Sequence, residues 1–263
     1  KMLNTDRTAH EIELTEQRFV GYERFAGRVY NEIVKSTRQF RNKGNDKRFT
    51  FDMNPEAVIM SIITDTSVNL VEEVNPIHEI KEQEVVTFGG TGGRSETTMV
   101  RRTRGQQENY AGVISEAGKD SGKVGFVSYL TSNPKIADFR GNVDLSMPDT
   151  LSGRLSVTSN LLAHSTSDDP KRALFSGVQQ SQGVSATNYQ TNWLRTGDEL
   201  VIAHRTSELY SKPAKLDGKV IKLTKEGLVV EYKDGTTDSY PLGLTIGSAS
   251  GEFHRHTRVT DLK

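Results

Sequence analysis

The sequence predicts an α+β chain with a helical N-terminal part, an irregular glycine-rich centre and a β-rich, barrel-like C-terminal part. Three observations predict it. Apolar residues recur at a 3.6-residue period early in the chain, glycine-rich stretches crowd residues 85–125, and short apolar runs separated by Asp-Gly turns occupy the end from about 195. The reading divides the chain into a helical segment (1–74), a central region (75–194) and a β-rich module (195–263).

Residues 9–41 are expected to form one long helix. Phe19, Tyr22, Phe25, Val29, Tyr30, Ile33 and Val34 fall on one stripe, with charged residues on the other face, so the stripe packs on its own domain or on a neighbour. The polar run Arg41-Asn42-Lys43-Gly44-Asn45-Asp46-Lys47 breaks it. Asn54 can cap a second helix, Pro55 takes the first helical position where no amide hydrogen is needed, and Glu56 complements the helix dipole. That helix is expected to run to about Leu70 or Val74. In the centre, Gly89-Gly90-Thr91-Gly92-Gly93 is a flexible loop, followed by the basic run Arg101-Arg102-Thr103-Arg104-Gly105 and a second glycine-rich stretch, Gly118 to Gly125. Phe126 to Leu130 reads as a short buried strand or a helix start. At the end, Leu200–Ala203, Lys219–Leu223 and Leu228–Tyr232 are strand-like, with turns at Asp217-Gly218 and Lys233-Asp234-Gly235.

Composition bounds the function. The chain has 263 residues, room for one or two domains. Its 34 Lys and Arg balance 34 Asp and Glu, so a broad nucleic-acid face made by bulk charge is excluded, and any such role needs local clusters or a larger assembly. The absence of cysteine excludes disulfides, Cys-ligated zinc, iron–sulfur clusters and a thiol nucleophile, and fits a reducing compartment. The longest apolar run, Ala57 to Ile63, is far short of the roughly 20 residues of a membrane span. No secretion signal is evident, and a start at Lys1-Met2 fits a piece of a longer polypeptide. An apolar content of 34% and a mean hydropathy of −0.56 point to much solvated or partner-covered surface.

Several familiar chemistries fail on spacing. Gly118 to Gly122-Lys123 is one residue short of a phosphate loop, and Val124 stands where a magnesium-binding Ser or Thr is required. His254-Arg255-His256 offers two ligands without a further acidic cluster beside them, which reads as a surface pair. No nucleophile elbow of the Gly-x-Ser-x-Gly kind occurs. The informative segment is His164 to Val184: a polar loop ending in Asp168-Asp169-Pro170, then a short helix with Lys171 and Arg172 in its first turn. Cations there oppose the helix dipole. Either an anion sits between them, such as a triphosphate or a nucleic-acid backbone, or Asp168 and Asp169 neutralise them locally. Gln179, Gln180 and Gln182 add uncharged donors and acceptors suited to sugar or phosphate contacts.

This segment resembles the β subunit of multisubunit RNA polymerases, in which a D-D-x-x-R-A-L-M-x-x-x-x-Q-x-Q-A-V pattern occurs. Here it reads Asp168-Asp169-Pro170-Lys171-Arg172-Ala173-Leu174-Phe175, then Gln180, Gln182 and Val184. Upstream, Asn75-Pro76-Ile77-His78-Glu79-Ile80 resembles the family's N-P-L-S-E-I. Asn109-Tyr110-Ala111-Gly112 and Val124-Gly125-Phe126-Val127-Ser128-Tyr129-Leu130 resemble its H-Y-G-R and I-G-L-I-N-S-L. The resemblance runs from about residue 50 to the end; it does not place residues 1–45. The chain covers only the middle of a β subunit and stops before the family's later acidic pair and lysines. Lys119-Asp120-Ser121-Gly122-Lys123 replaces the family's P-E-G-x-N. Lys81, Glu84 and Val86 replace the His, Arg and Ser of the segment that lines the rifampicin pocket, which implies a rifampicin-resistant enzyme. An abbreviated chain of this kind is most like the split β of giant-phage polymerases.

The resemblance implies a part of a DNA-directed RNA polymerase, inactive as an isolated chain. Arg172 would face the triphosphate of the incoming nucleotide. Lys171, Asp169, Gln180 and Gln182 would contact substrate or RNA. Arg94, Arg101, Arg102, Arg104, Asp120 and Lys123 would belong to a fork-loop region on template or non-template strands. No metal is expected in this chain: Mg2+ would be held by aspartates of a β′-like partner. The implied partners are that subunit, the rest of β, template DNA, RNA and nucleoside triphosphates, with no membrane. The implied location is the cytoplasm of a bacterial host, or the virion of a phage that packages its enzyme. The alternative is a structural protein of a phage or bacterial assembly. A self-sufficient nucleotide-binding enzyme fits least, because it lacks a metal or phosphate constellation.

Overall fold

A computed structural model describes residues 18–43, 51–65, 67–70, 73–90, 93–100, 104–105, 110–186, 188–246 and 253–256. The element order is α1 (Tyr22–Asn42), α2 (Pro55–Ile63), α3 (Pro76–Glu84), β1 (Val85–Thr87), β2 (Ile114–Gly118), β3 (Val127–Leu130), α4 (Leu151–Arg154), α5 (Val157–Asn160), α6 (Pro170–Ser181), α7 (Glu199–Ala203), β4 (Gly218–Leu223), β5 (Gly227–Tyr232), β6 (Thr237–Pro241), β7 (Gly243–Ile246) and β8 (Phe253–His256). The α+β class predicted from sequence is the class found. The chain divides into two compact units that interleave in sequence: Lys1–Asn69 with Val86–Arg154, and Leu70–Val85 with Leu155–Lys263.

In the first unit, a three-stranded sheet of order β1-β3-β2 lies over Tyr110 and Val113, with Phe19, Ile114, Leu130 and Val143 packed around them. The segment before α1 is extended rather than helical: Phe19 N donates to Gly141 O at 2.9 Å, and Arg18 bridges to Asn142. Gly141 takes φ +80°, and a Cβ there would sit 2.1 Å from Phe19 O, so this crossing requires glycine. The helix expected from residue 9 therefore starts at Tyr22 within the described residues; 9–17 lie outside them. In α2 the expected cap is present, with Asn54 Oδ1 accepting from Glu56 N and Ala57 N. This helix stops at Ile63, short of the expected Leu70 or Val74, because Asp65 has other partners. Its carboxylate accepts from Ser67 N and Oγ and from the guanidinium groups of Arg24 and Arg28 on α1. Those Ser67 bonds foremost, then Arg28, hold its pKa well below the usual carboxylate range.

In the second unit, Ile80, Val157 and Ile202 join α3, α5 and α7 in one buried cluster with Ile77 and Leu161. Leu200 to Ala203 belongs to the helix α7, not to the strand expected from its apolar run. Four apolar residues are too few to separate the two periods, and Asp198 and Glu199 complement a helix start. The expected strands and the Lys233-Asp234-Gly235 turn are found in an antiparallel β4-β5-β6 sheet, whose core is Leu228, Val230 and Tyr232. The Asp234 carboxylate accepts from Thr236 N and Oγ1, and Gly235 takes φ +81°. β7 and β8 form a separate antiparallel pair. The barrel-like expectation is corrected accordingly: among the described residues these strands form a three-stranded sheet and a two-stranded ribbon, with no closed barrel. His254 and His256 are likewise not a surface pair. Both are half-buried, Arg255 between them is exposed, and the His254 ring stands edge-on to Tyr210 at 5.2 Å. Among the described residues no helix is long and apolar enough to cross a membrane.

Candidate functional site

The segment singled out by sequence forms α6 and its entry loop. His164 turns the chain with φ +63°, and Asp169 takes the N-cap position with Pro170 in the first turn. Asp169 O accepts from Arg172 N and Ala173 N at 2.9 and 3.0 Å, while its side chain makes no cap; Asp168 Oδ1 accepts from Asp169 N at 2.8 Å. At 3.6 residues per turn, Ala173, Gly177 and Gln180 share one face. That face packs on α5. Ala173 and Gly177 are buried, and a Cβ on Gly177 would lie 2.6 Å from Thr158 Oγ1. Gln180 Nε2 donates to Thr158 O at 3.0 Å, so this glutamine binds the neighbouring helix and is not presented outward.

The opposite face carries Lys171, Arg172, Phe175, Gln179 and Gln182, all exposed. The structure therefore brings Arg172, Lys171 and Gln182 to one surface and places Gln180 on the other. Among the described residues neither Asp168 nor Asp169 forms an ion pair with Lys171 or Arg172. Of the two readings the sequence left open, local neutralisation finds no contact here. Two cations without an ion-pair partner among the described residues thus stand at the positive end of α6, and Gln182 lies about three turns along the same face.

Asn75, the N-cap of α3, positions this helix, and sequence reasoning missed that role. Asn75 is buried and uses its whole amide: Oδ1 accepts from Ile77 N and His78 N, while Nδ2 donates to Gln180 O and Gly183 O, each at 2.8 Å. One side chain thus caps α3 and holds the C-terminal end of α6. The Asn-Pro pair carried the first half of that signal, as it did at Asn54. At the other end of α3, Glu84 is buried and receives Arg205 Nη2 at 2.8 Å, a contact beyond α7 that does not involve α6. Burial outweighs Arg205 and Lys81 and pushes the Glu84 carboxyl up to about 7. The folded chain thus holds this proton more tightly than the unfolded chain does. The stability from this group is full below the ordinary value of 4.5, falls as pH rises to about 7, and is level above that. The span is about 3 kcal/mol. Urea unfolding at pH 5 and pH 8 checks it: Glu84→Gln is expected to remove most of the wild-type difference, and an undiminished difference in the variant would assign it elsewhere.

In the first unit, Arg94, Asp120 and Lys123 are exposed. Arg104 is positioned differently from the sequence expectation. Its Nε donates to Met99 O at 3.0 Å, Nη2 to Glu96 O at 2.9 Å and Nη1 to Gly122 O, and the guanidinium lies 5.7 Å from the Phe126 ring centre. Its donors are engaged within the chain, where they tie Arg104 to Glu96, to Met99 and to Gly122 of the second glycine-rich stretch. Arg101 and Arg102 lie outside the described residues. Lys81 and Glu84, two departures in the rifampicin-pocket segment, are buried, and Val86 is half-buried. Among the described residues no group of three or more His, Asp or Glu could hold a metal ion.

Comparison with known proteins bears on these surfaces. A family model described as bacteriophage RNA polymerase matches residues 1–96. That span includes Asn75 to Ile80 and also residues 1–45, for which the motifs offered no counterpart. The DNA-directed RNA polymerase subunit beta of Thermus thermophilus is 36% identical over 97 residues, 36% of this chain and 8% of that subunit. The Thermus aquaticus subunit is 33% identical over 106 residues, 40% of this chain and 9% of that subunit. The match thus spans less than a tenth of the length of these curated relatives. Over part of its length the chain is similar to the β subunit of DNA-directed RNA polymerase, and its first 96 residues match the bacteriophage RNA polymerase family model.

Proposed function

We propose that the chain is a split part of an RNA polymerase β subunit that positions the incoming nucleoside triphosphate and contacts nucleic acid during DNA-templated RNA synthesis. The carrying observation is the exposed face of α6, where Lys171 and Arg172 lie without a carboxylate partner among the described residues. In this reading Arg172 faces the triphosphate and neutralises charge that develops as the phosphoryl bond breaks. Lys171 supports it as a point charge, and Gln182 hydrogen-bonds the RNA end. Arg94, Lys123 and the fork-loop arginines Arg101 and Arg102 contact template or non-template phosphates. The proposal assigns Mg2+ to aspartates of a β′-like partner and routes no step through this chain's own carboxylates.

The exposed apolar residues of α1 and α2, among them Phe25, Phe40, Ile59 and Met60, suit a chain covered by other polypeptides. A purely structural protein accounts for them equally well, but it gives no reason for the α6 face. Mass spectrometry of what co-purifies with the tagged natural protein decides between the two. A companion chain with an Asp-x-Asp-x-Asp motif is expected. Recovery of structural proteins alone would overturn the polymerase reading.

A further inference from the structure

We propose that the segment after α6 is a stacking site for unpaired bases of single-stranded nucleic acid, centred on Trp193. The sequence from Pro170 to Gly197 contains no Asp or Glu, in a chain that carries 34 of them, while it keeps Lys171, Arg172 and Arg195. A neutral chain has therefore cleared acid from one contiguous stretch, the arrangement a polyanion requires. Within it, Trp193 is the only tryptophan of the chain and is fully exposed, at 101%. Tyr189 is 70% exposed, and Arg195 is exposed two residues beyond Trp193. Glu199, which follows the stretch, accepts from Thr196 N and Gly197 N. Backbone amides, its own foremost, and then Arg195 lower its pKa.

The side chains between the aromatic residues, Gln190, Thr191 and Asn192, are uncharged hydrogen-bonding groups. Aromatic residues alternating with neutral amides, next to cations, make a platform for bases whose flanking groups can reach sugar and phosphate. A protein-docking strand would bury its aromatics in a mainly apolar run, whereas here Leu194 is the single aliphatic neighbour. The site deepens the polymerase reading by naming an RNA-facing element. It is testable without that reading, because it requires only this chain.

The single tryptophan reports directly. The full chain is titrated at 50 mM salt with a ten-nucleotide uridine RNA, a ten-nucleotide thymidine DNA and a twenty-base-pair DNA duplex, following tryptophan emission. Saturable quenching by the single strands and not by the duplex is expected, and the ratio of the two single-strand affinities tells whether RNA or displaced DNA is the better ligand. Anisotropy of a labelled uridine RNA then compares variants. Trp193→Ala should weaken binding by about 5- to 100-fold and Trp193→Phe far less. The log–log salt slope should be no steeper than about −2 if three phosphates are met. The absence of saturable quenching with either single strand, or equal affinity for Trp193→Ala, would overturn the site and assign the aromatic segment to a protein contact. The companion-chain result would be unaffected, so the two readings fail separately.

Discussion

Under the proposed function, Arg172→Ala in the assembled polymerase is expected to slow nucleotide addition by about a hundred- to a thousandfold and to leave the affinity for DNA within a few fold of wild type. The magnitude is that of removing one preorganised donor from a transition state whose charge it stabilises, about 3–4 kcal/mol. The structure makes this test clean. The Arg172 side chain is exposed on the outward face of α6 and has no partner among the described residues, so truncating it leaves the fold alone, to within about 0.5 kcal/mol. A slow variant is therefore not an unfolded one. Arg172→Lys should recover part of the rate, since it keeps the charge and loses the planar, bidentate fork. Single-turnover nucleotide addition on a preassembled scaffold separates the effect from DNA binding. A rate within threefold of wild type would remove Arg172 from the reaction.

Local chemistry made much of this molecule legible. Asn54 before Pro55 fixes a helix start within four residues, and Asp234-Gly235 fixes a turn in the same way, since cap and turn draw on neighbours in sequence. The helical face of Lys171, Arg172 and Gln182 follows from spacing alone once α6 exists. The parts that could not be read depend on distant partners. Asp65 is bound by Ser67 next to it but also by Arg24 and Arg28, some 40 residues earlier, which no local pattern shows. Arg104 looked like one more fork-loop cation because its partners are backbone carbonyls, and any residue type can supply a carbonyl. Gln180 and Gln182 look alike in the motif, and only the packing of α5 against α6 separates the residue that binds Thr158 from the one that faces out. The barrel-like expectation failed for a related reason. Strand existence is local, but closure depends on pairing between strands far apart in sequence.

Asn75 tests whether the α6 surface is held or merely present. Asn75→Ala removes a helix cap, worth about 1 kcal/mol, and leaves Gln180 O and Gly183 O without their amide donor, at about 1 kcal/mol or more for each one not rehydrated. Chemical unfolding should therefore show a loss of about 3 kcal/mol. Asn75→Ser restores the cap acceptor but cannot span to both carbonyls, so it should return only about 1 kcal/mol. Full recovery in the serine variant would mean that the cap accounts for the whole effect. The functional consequence is confined to one end of the helix. Residues 180–184 lose their tether in both variants, and Gln182 lies among them, whereas Lys171 and Arg172 sit three turns away at the end that Asp169 opens. Amide exchange at 180–184 should accelerate in both variants, with protection at 171–177 kept. Unchanged exchange at 180–184 would show that α5 alone holds α6, and Asn75 would then be a helix cap and nothing more.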